Sequence, residues 1–242
     1  MVKGSKPVRM GKTMYFMNHR SYADYFVDCF ITGGSSYLSK LSTIFSFPGP
    51  SYCGYLLNFV WFFYKHKGID RKWFTKFVAS KWNHRHNSGC IAYPEGHISK
   101  PSAHPTLRTG VMEVAYNLNC PCQIVLTSGK EEIINAETLA FKENVHVHVC
   151  VSEVLIPRDY KTKEEWFQKV NEVWEATSQL LAEREGEIEI IAPLPGRRMW
   201  FMYYVGVNTD LCVDEPISGN AMVYSVAALF ALAAICYSLY TM

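Results

Sequence analysis

The chain lacks several features that would direct its reading elsewhere. Its eight cysteines include no C-x-x-C pair. The basic first dozen residues are not followed by the apolar core of a secretory leader. The thiols are therefore read as reduced in a cytosol-facing protein, not as a disulfide framework. Cys120-Pro121-Cys122 has no second ligand pair beside it and reads as packed thiols. His84-Arg85-His86 and His146-Val147-His148 lack neighbouring acidic or thiol ligands, so no metal is expected. Thr32-Gly33-Gly34-Ser35 has neither the lysine nor the spacing of a nucleotide loop. A net charge of +2 is too small to argue for a nucleic-acid partner. There is no internal repeat and no low-complexity linker. Charge is absent altogether from Pro216 to Met242.

What is present is apolar and aromatic. Of 242 residues, 49% are hydrophobic and 14% aromatic, enough for one substantial domain with an appendage. Strand patterns fall at Lys12–Met17, Tyr37–Ile44, Cys90–Ala92, Gln123–Thr127 and Val145–Val151, where VHVHVCV alternates. Helical spacing marks Ser21–Ile31, Arg71–Trp82, Thr109–Asn117 and Lys163–Arg184. Pro48-Gly49-Pro50 reads as a break, and the apolar Tyr52–Tyr64 as a buried or membrane-dipping helix. Strands alternating with helices predict an α/β fold, a mixed sheet flanked by helices. The expected division is a basic segment 1–11, a catalytic domain 12–192, an interfacial connector 193–220 and an anchor 221–242. Ala221–Met242 would span roughly 33 Å as a helix, enough to cross a bilayer. Met199–Val207, behind Arg197 and Arg198, offers Trp200, Tyr203 and Tyr204 as interfacial anchors. Basic clusters at Lys3–Lys12 and Lys65–Arg85 suit anionic lipid headgroups or phosphorylated substrates.

The chemistry concentrates in Met14–Asp24, MYFMNHRSYAD. An apolar strand runs into His19, and Asp24 follows five positions later. A histidine backed by a carboxylate is the minimal device for taking a proton from a hydroxyl near neutral pH. Residues five apart on a regular helix point about 140° apart. His19 must then sit in the loop or cap entering the helix, and Asn18 suits that placement. Behind a second apolar strand comes Tyr93-Pro94-Glu95-Gly96.

These two motifs together resemble the glycerolipid acyltransferase family, whose patterns read N-H-x-x-x-x-D and F-P-E-G-T-R. The likeness extends over roughly residues 12–190, with Lys40, Pro48 and Gly54 at similar intermotif places. It implies that His19 is the general base, that Asp24 orients it, and that Glu95 and Gly96 shape the acceptor pocket. The family's second motif is matched loosely by Phe63–Arg71, in two registers. One puts Arg71 at the phosphate-binding position, the other the cluster containing Lys65 and Lys67. An apolar strand after Pro121 is similar to the fourth motif. The third motif departs: His97 stands at the threonine and Ile98 at the arginine. An isoleucine binds no phosphate, so weight shifts toward relatives acting on bulkier phospholipids, such as lysocardiolipin acyltransferases and tafazzin. Lys100, Arg108 and His97 are the compensating candidates. Many relatives also carry membrane-embedded helices before the first motif, whereas His19 here comes early, which leaves anchoring to the C-terminal segment.

The implied activity is acyl transfer from acyl-CoA, as co-substrate and without a cofactor, to a lysophospholipid, lysophosphatidic acid by default. The expected partners are those two substrates and membrane lipids, and the expected location is an endoplasmic reticulum or mitochondrial membrane. Two alternatives stand beside it: a CoA-independent phospholipid transacylase, and a catalytically weakened structural subunit of a membrane complex.

Overall fold

Met14–Met17 (β1) is buried on both faces along its whole length, and its alternation decides the architecture. Met14 and Phe16 point into one apolar cluster, Tyr15 and Met17 into another. A strand covered on both sides belongs at the centre of a sheet with helices over each face. The computed structural model describes residues 1–183, apart from 47, 57, 65–68, 84–88, 100–105, 135–139 and 143.

Along the described chain, β1 is followed by α1 (Asp24–Ile31), β2 (Ser36–Lys40), α2 (Thr43–Ser46) and α3 (Pro48–Leu56). Then come β3 (Val60–Phe63), α4 (Arg71–Asn83), β4 (Cys90–Ala92) and α5 (Thr109–Asn117). The last elements are β5 (Cys122–Ser128), β6 (His148–Leu155) and α6 (Lys163–Glu183). The sheet order is β3-β2-β4-β1-β5-β6. All neighbours are parallel except β5 and β6, which run antiparallel. The mixed sheet flanked by helices is as expected. Backbone hydrogen bonds from Val2 to Val149 and from Lys6 to Val151 lay the N-terminal segment along β6 and cover that edge.

The larger cluster packs α4, α5 and α6 on one face through Phe74, Val78, Trp82, Met112, Trp166, Val170 and Trp174. In α6 the buried Trp166, Val170, Trp174, Thr177 and Leu181 recur every three or four residues, a helical stripe. The opposite face holds Ile31 of α1 against Tyr15, Tyr37, Ile91 and Val125.

Four elements differ from the sequence reading. The second strand ends at Lys40, because the Thr43 hydroxyl hydrogen-bonds the Lys40 carbonyl at 2.7 Å and Ser39 Oγ at 2.8 Å. That bonding turns the chain into α2 where further strand was expected. The apolar 52–64 run is not one helix. Pro48–Leu56 is helical, Asn58 adopts φ 56°, and Val60–Phe63 pairs with β2 as an edge strand. The Pro48-Gly49-Pro50 segment starts that helix instead of breaking one; proline is at home in a first helical turn. β6 begins at His148, so Val145–Val147 of the alternating stretch precede it, and it runs on to Leu155. The 193–220 connector and 221–242 anchor lie outside the described residues. Among the described residues no helix is long and apolar enough to cross a membrane.

Trp166 is fully buried, and its indole N–H donates to the Met112 carbonyl at 2.9 Å. Trp166→Ala is expected to cost about 3–5 kcal/mol of unfolding free energy. Urea unfolding followed by circular dichroism measures it.

Candidate active site

β1 ends at Met17, and the next residues leave the sheet at its carboxyl edge. Asn18 is buried there, but it does not cap the helix. Its amide donates to the Thr127 carbonyl at 2.7 Å, while its carbonyl oxygen accepts from the Thr127 amide at 3.0 Å. It therefore ties β1 to β5. The turn is organised by Ser21, whose hydroxyl oxygen accepts from the Ala23 amide at 3.0 Å. His19 thus sits in the loop and Asp24 opens α1, the placement that the five-residue spacing demands.

His19 Nδ1 lies 2.7 Å from Asp24 Oδ2. An ionised carboxylate only accepts, so Nδ1 carries a proton, and in the neutral ring Nε2 keeps its lone pair. The ring stacks on Tyr93, with centroids 4.4 Å apart and planes 17° from parallel. Asp24 is buried and also accepts the amides of Arg20 (2.7 Å) and Ser21 (3.1 Å). Burial alone would raise its carboxyl. The His19 hydrogen bond, the Lys130 charge and the Arg20 amide outweigh that and hold it below the ordinary carboxylate value.

Lys130 is the functional neighbour that sequence reasoning missed. Fully buried, its ammonium donates to Asp28 Oδ1 and Oδ2 at 3.0 Å each and to the Asn18 carbonyl at 2.8 Å. It lies 3.4 Å from Asp24 Oδ1. Gly129 makes the turn possible: its φ is +88°, and a Cβ there would fall 2.2 Å from the His146 carbonyl oxygen. The signal was present in Asp24 and Asp28, two carboxylates one turn apart on a helix otherwise apolar. Such a pair, when buried, calls for a cation. Tyr93 completes the cluster by donating to Asp28 Oδ2 at 2.8 Å. Burial, reinforced by the Asp28 charge, pushes the Tyr93 phenol well up, so it stays a donor.

A cavity of about 640 Å³ opens beside His19 and Asp24. Much of its wall is apolar, including Phe26, Leu38, Phe63, Phe74 and Val111, and Lys40, Arg71, His97 and Arg108 also border it. Gly96 lines it, whereas Glu95 is fully buried behind the wall. Glu95 Oε2 accepts the His19 amide at 3.4 Å, and Oε1 lies 3.8 Å from Arg20 Nη1. The Ser99 amide donates to the His19 carbonyl at 2.8 Å, so the 95–99 loop holds the backbone of His19. Arg71, at the start of α4, is paired with Glu113 of α5, which also takes Lys163 at 2.7 Å. Lys65, Lys67 and Lys100 lie outside the described residues. Among the described residues no group of three His, Cys, Asp or Glu side chains is placed to hold a metal ion. None of the described cysteines forms a disulfide. Burial pushes the thiols of Cys90 and Cys122 well above the ordinary value, which makes them poor nucleophiles.

No protein-family model and no curated protein matches the chain. Among solved structures, it is similar to the crystal structure of PlsC, the 1-acyl-sn-glycerophosphate (LPA) acyltransferase from Thermotoga maritima. The TM-score is 0.56 at 20% identity, over 75% of this chain and 72% of that one. The chain therefore has the glycerolipid acyltransferase fold.

Removing the buried ammonium alone should be costly, since it leaves two carboxylates without their cation. Lys130→Met is expected to lose about 3–5 kcal/mol of stability. Lys130→Met/Asp28→Asn should recover part of it, as read by urea unfolding. Asp28 itself is pushed up to about 6, by burial first, with the Asp24 charge adding and Lys130 opposing. Its folded value thus exceeds the unfolded 3.8, and the native state holds the proton over that interval. Its contribution to stability is present at low pH and lost as pH rises from about 4 to about 6. Asp28→Asn should remove that decline, in melting temperatures taken across the same range.

Proposed function

We propose that the chain is a membrane-associated O-acyltransferase that moves a fatty acyl group from acyl-CoA to the free hydroxyl of a lysophospholipid. The observation that carries this reading is the His19–Asp24 hydrogen bond at the wall of a large, mostly apolar cavity. Its volume falls in the range of small-molecule sites. The apolar lining suits a fatty chain, and its cations suit a phosphorylated headgroup. The fold shared with an acyltransferase of known structure agrees with it. Anchoring by the apolar 221–242 segment, in an endoplasmic reticulum or mitochondrial membrane, belongs to the same proposal and is supported by its composition.

In the proposed reaction the acceptor hydroxyl attacks the thioester carbonyl carbon while His19 Nε2 takes its proton. The electron pair of the C=O bond moves to oxygen in the tetrahedral intermediate. Collapse of that intermediate breaks the C–S bond and expels the CoA thiolate, which takes the proton back from the imidazolium. Asp24 stabilises the imidazolium and holds the ring in the productive tautomer. No acyl-enzyme is needed.

The test is acyl transfer by detergent-purified protein offered labelled oleoyl-CoA with a panel of lysophospholipids and glycerol 3-phosphate. His19→Ala is expected to lower turnover by about 10²–10⁴, and Asp24→Ala by about 10² or more. Equal inertness of wild type and mutant across the panel would sink the acyl-CoA reading. A phospholipid donor, or a structural role in a larger complex, would then lead.

A further inference from the structure

The cavity beside His19 is bordered by more positive charge than proton transfer uses, and its cations are not equivalent. Arg71 is matched by Glu113. Arg108 is different. Its amide donates to the Pro94 carbonyl at 2.9 Å, and its guanidinium pairs with no carboxylate among the described residues. The side chain rests on Gly96, where a Cβ would come 2.8 Å from Arg108 Nε and 2.9 Å from Cζ. Gly96 also has φ +73°, so glycine there serves both the turn and the seat of the arginine. Lys40 Nζ reaches the Gly96 carbonyl at 3.5 Å, which brings a second cation to the same residue.

The surroundings also favour an anion. Arg108 is the N-cap of α5 and has no side-chain capping bond. Gly110 and Val111, in the first turn of α5, line the cavity, and nothing lies within 4 Å of the Cβ position at Gly110. The amide end of a helix, a guanidinium and an open approach therefore share one wall. Ile98, which stands where the acyltransferase motif carries arginine, lines the same cavity.

We propose that Arg108, seated over Gly96, is a phosphate-binding residue of this cavity and supplies the cation that Ile98 does not. Its guanidinium receives a phosphate group of one of the two substrates, the acceptor headgroup or the coenzyme A moiety. The planar donor fork matches two phosphate oxygens at once. The identification of these two sources rests on the acyltransferase reading; the binding of phosphate does not.

Calorimetric titration of the detergent-solubilised full chain with glycerol 3-phosphate, and separately with coenzyme A, tests this without turnover. Glycerol and pantetheine serve as phosphate-free controls. Arg108→Ala should lose about ten- to a hundredfold in affinity for one of the two phosphorylated ligands, the size of a lost charged hydrogen bond. Arg108→Lys should fall between, and Arg108→Ala/Ile98→Arg should recover much of the loss. A loss confined to glycerol 3-phosphate assigns the acceptor phosphate, and one confined to coenzyme A the donor. Unchanged affinity for both ligands, or no binding of either by wild type, overturns the proposal. So does an equal loss for the phosphate-free controls that Arg108→Lys does not relieve. Wild-type binding that depends on Arg108, with no acyl transfer to any acceptor, would refute the acyltransferase reading and leave this one standing.

Discussion

A single buried ammonium holds this site together. Lys130 joins the Asn18 carbonyl just after β1, both carboxylates of α1 and the turn after β5. A buried charge is tolerated only with its partners in place, so these segments are obliged to meet at one point. Asp28 is fully buried, and beyond that burial two anions face one cation. The Asp28 carboxyl is pushed up, while Asp24 stays low. The two carboxylates thereby divide their work. Asp28 is the structural counter-ion, held further by Tyr93, and Asp24 remains an ionised acceptor for the imidazole. The same Tyr93 stacks on His19, so one side chain fixes both the ring plane and the counter-ion.

The sheet places the site. In an open α/β sheet, ligands bind beyond the carboxyl ends of the parallel strands. Here β1 delivers His19, β4 delivers Tyr93 to Gly96, β2 ends at Lys40, and β5 leads to Lys130. These four strands are parallel neighbours, so their ends converge on one edge although the residues lie far apart in sequence. The antiparallel β6 supplies none of these residues, and the N-terminal segment covers its outer side. The 95–99 loop then locks the backbone of His19 through Glu95 and Ser99.

Much of this was legible beforehand because local rules and global fold agree. β1, β4, α5 and α6 carry clear alternation or helical spacing, and their positions follow it. The five-residue gap between His19 and Asp24 forced a loop-then-helix arrangement by geometry alone. The aromatic run at 52–64 read as one helix, although apolarity without periodicity suits helix and strand alike. Asn58 and the β-rich VWFF that follows resolve it. Lys130 was invisible because nothing local distinguishes a buried lysine from a surface one; only the paired carboxylates hinted at it. Glu95 read as pocket-lining by its motif, yet it serves from behind the wall by holding the loop. Arg71 carried a phosphate-site reading, and its partner Glu113 lies 42 positions away, beyond any local pattern.

The central claim is that this buried network presents His19 to the cavity with its proton on Nδ1 and a free lone pair on Nε2. Nitrogen NMR of histidine-labelled protein, with the His19 signals assigned by a His19→Gln sample, measures the tautomer directly. The account requires a neutral ring protonated at Nδ1, and a shift toward Nε2 protonation when Asp24 is replaced by asparagine. A ring protonated at Nε2 in the wild type, or one indifferent to Asp24, would contradict it.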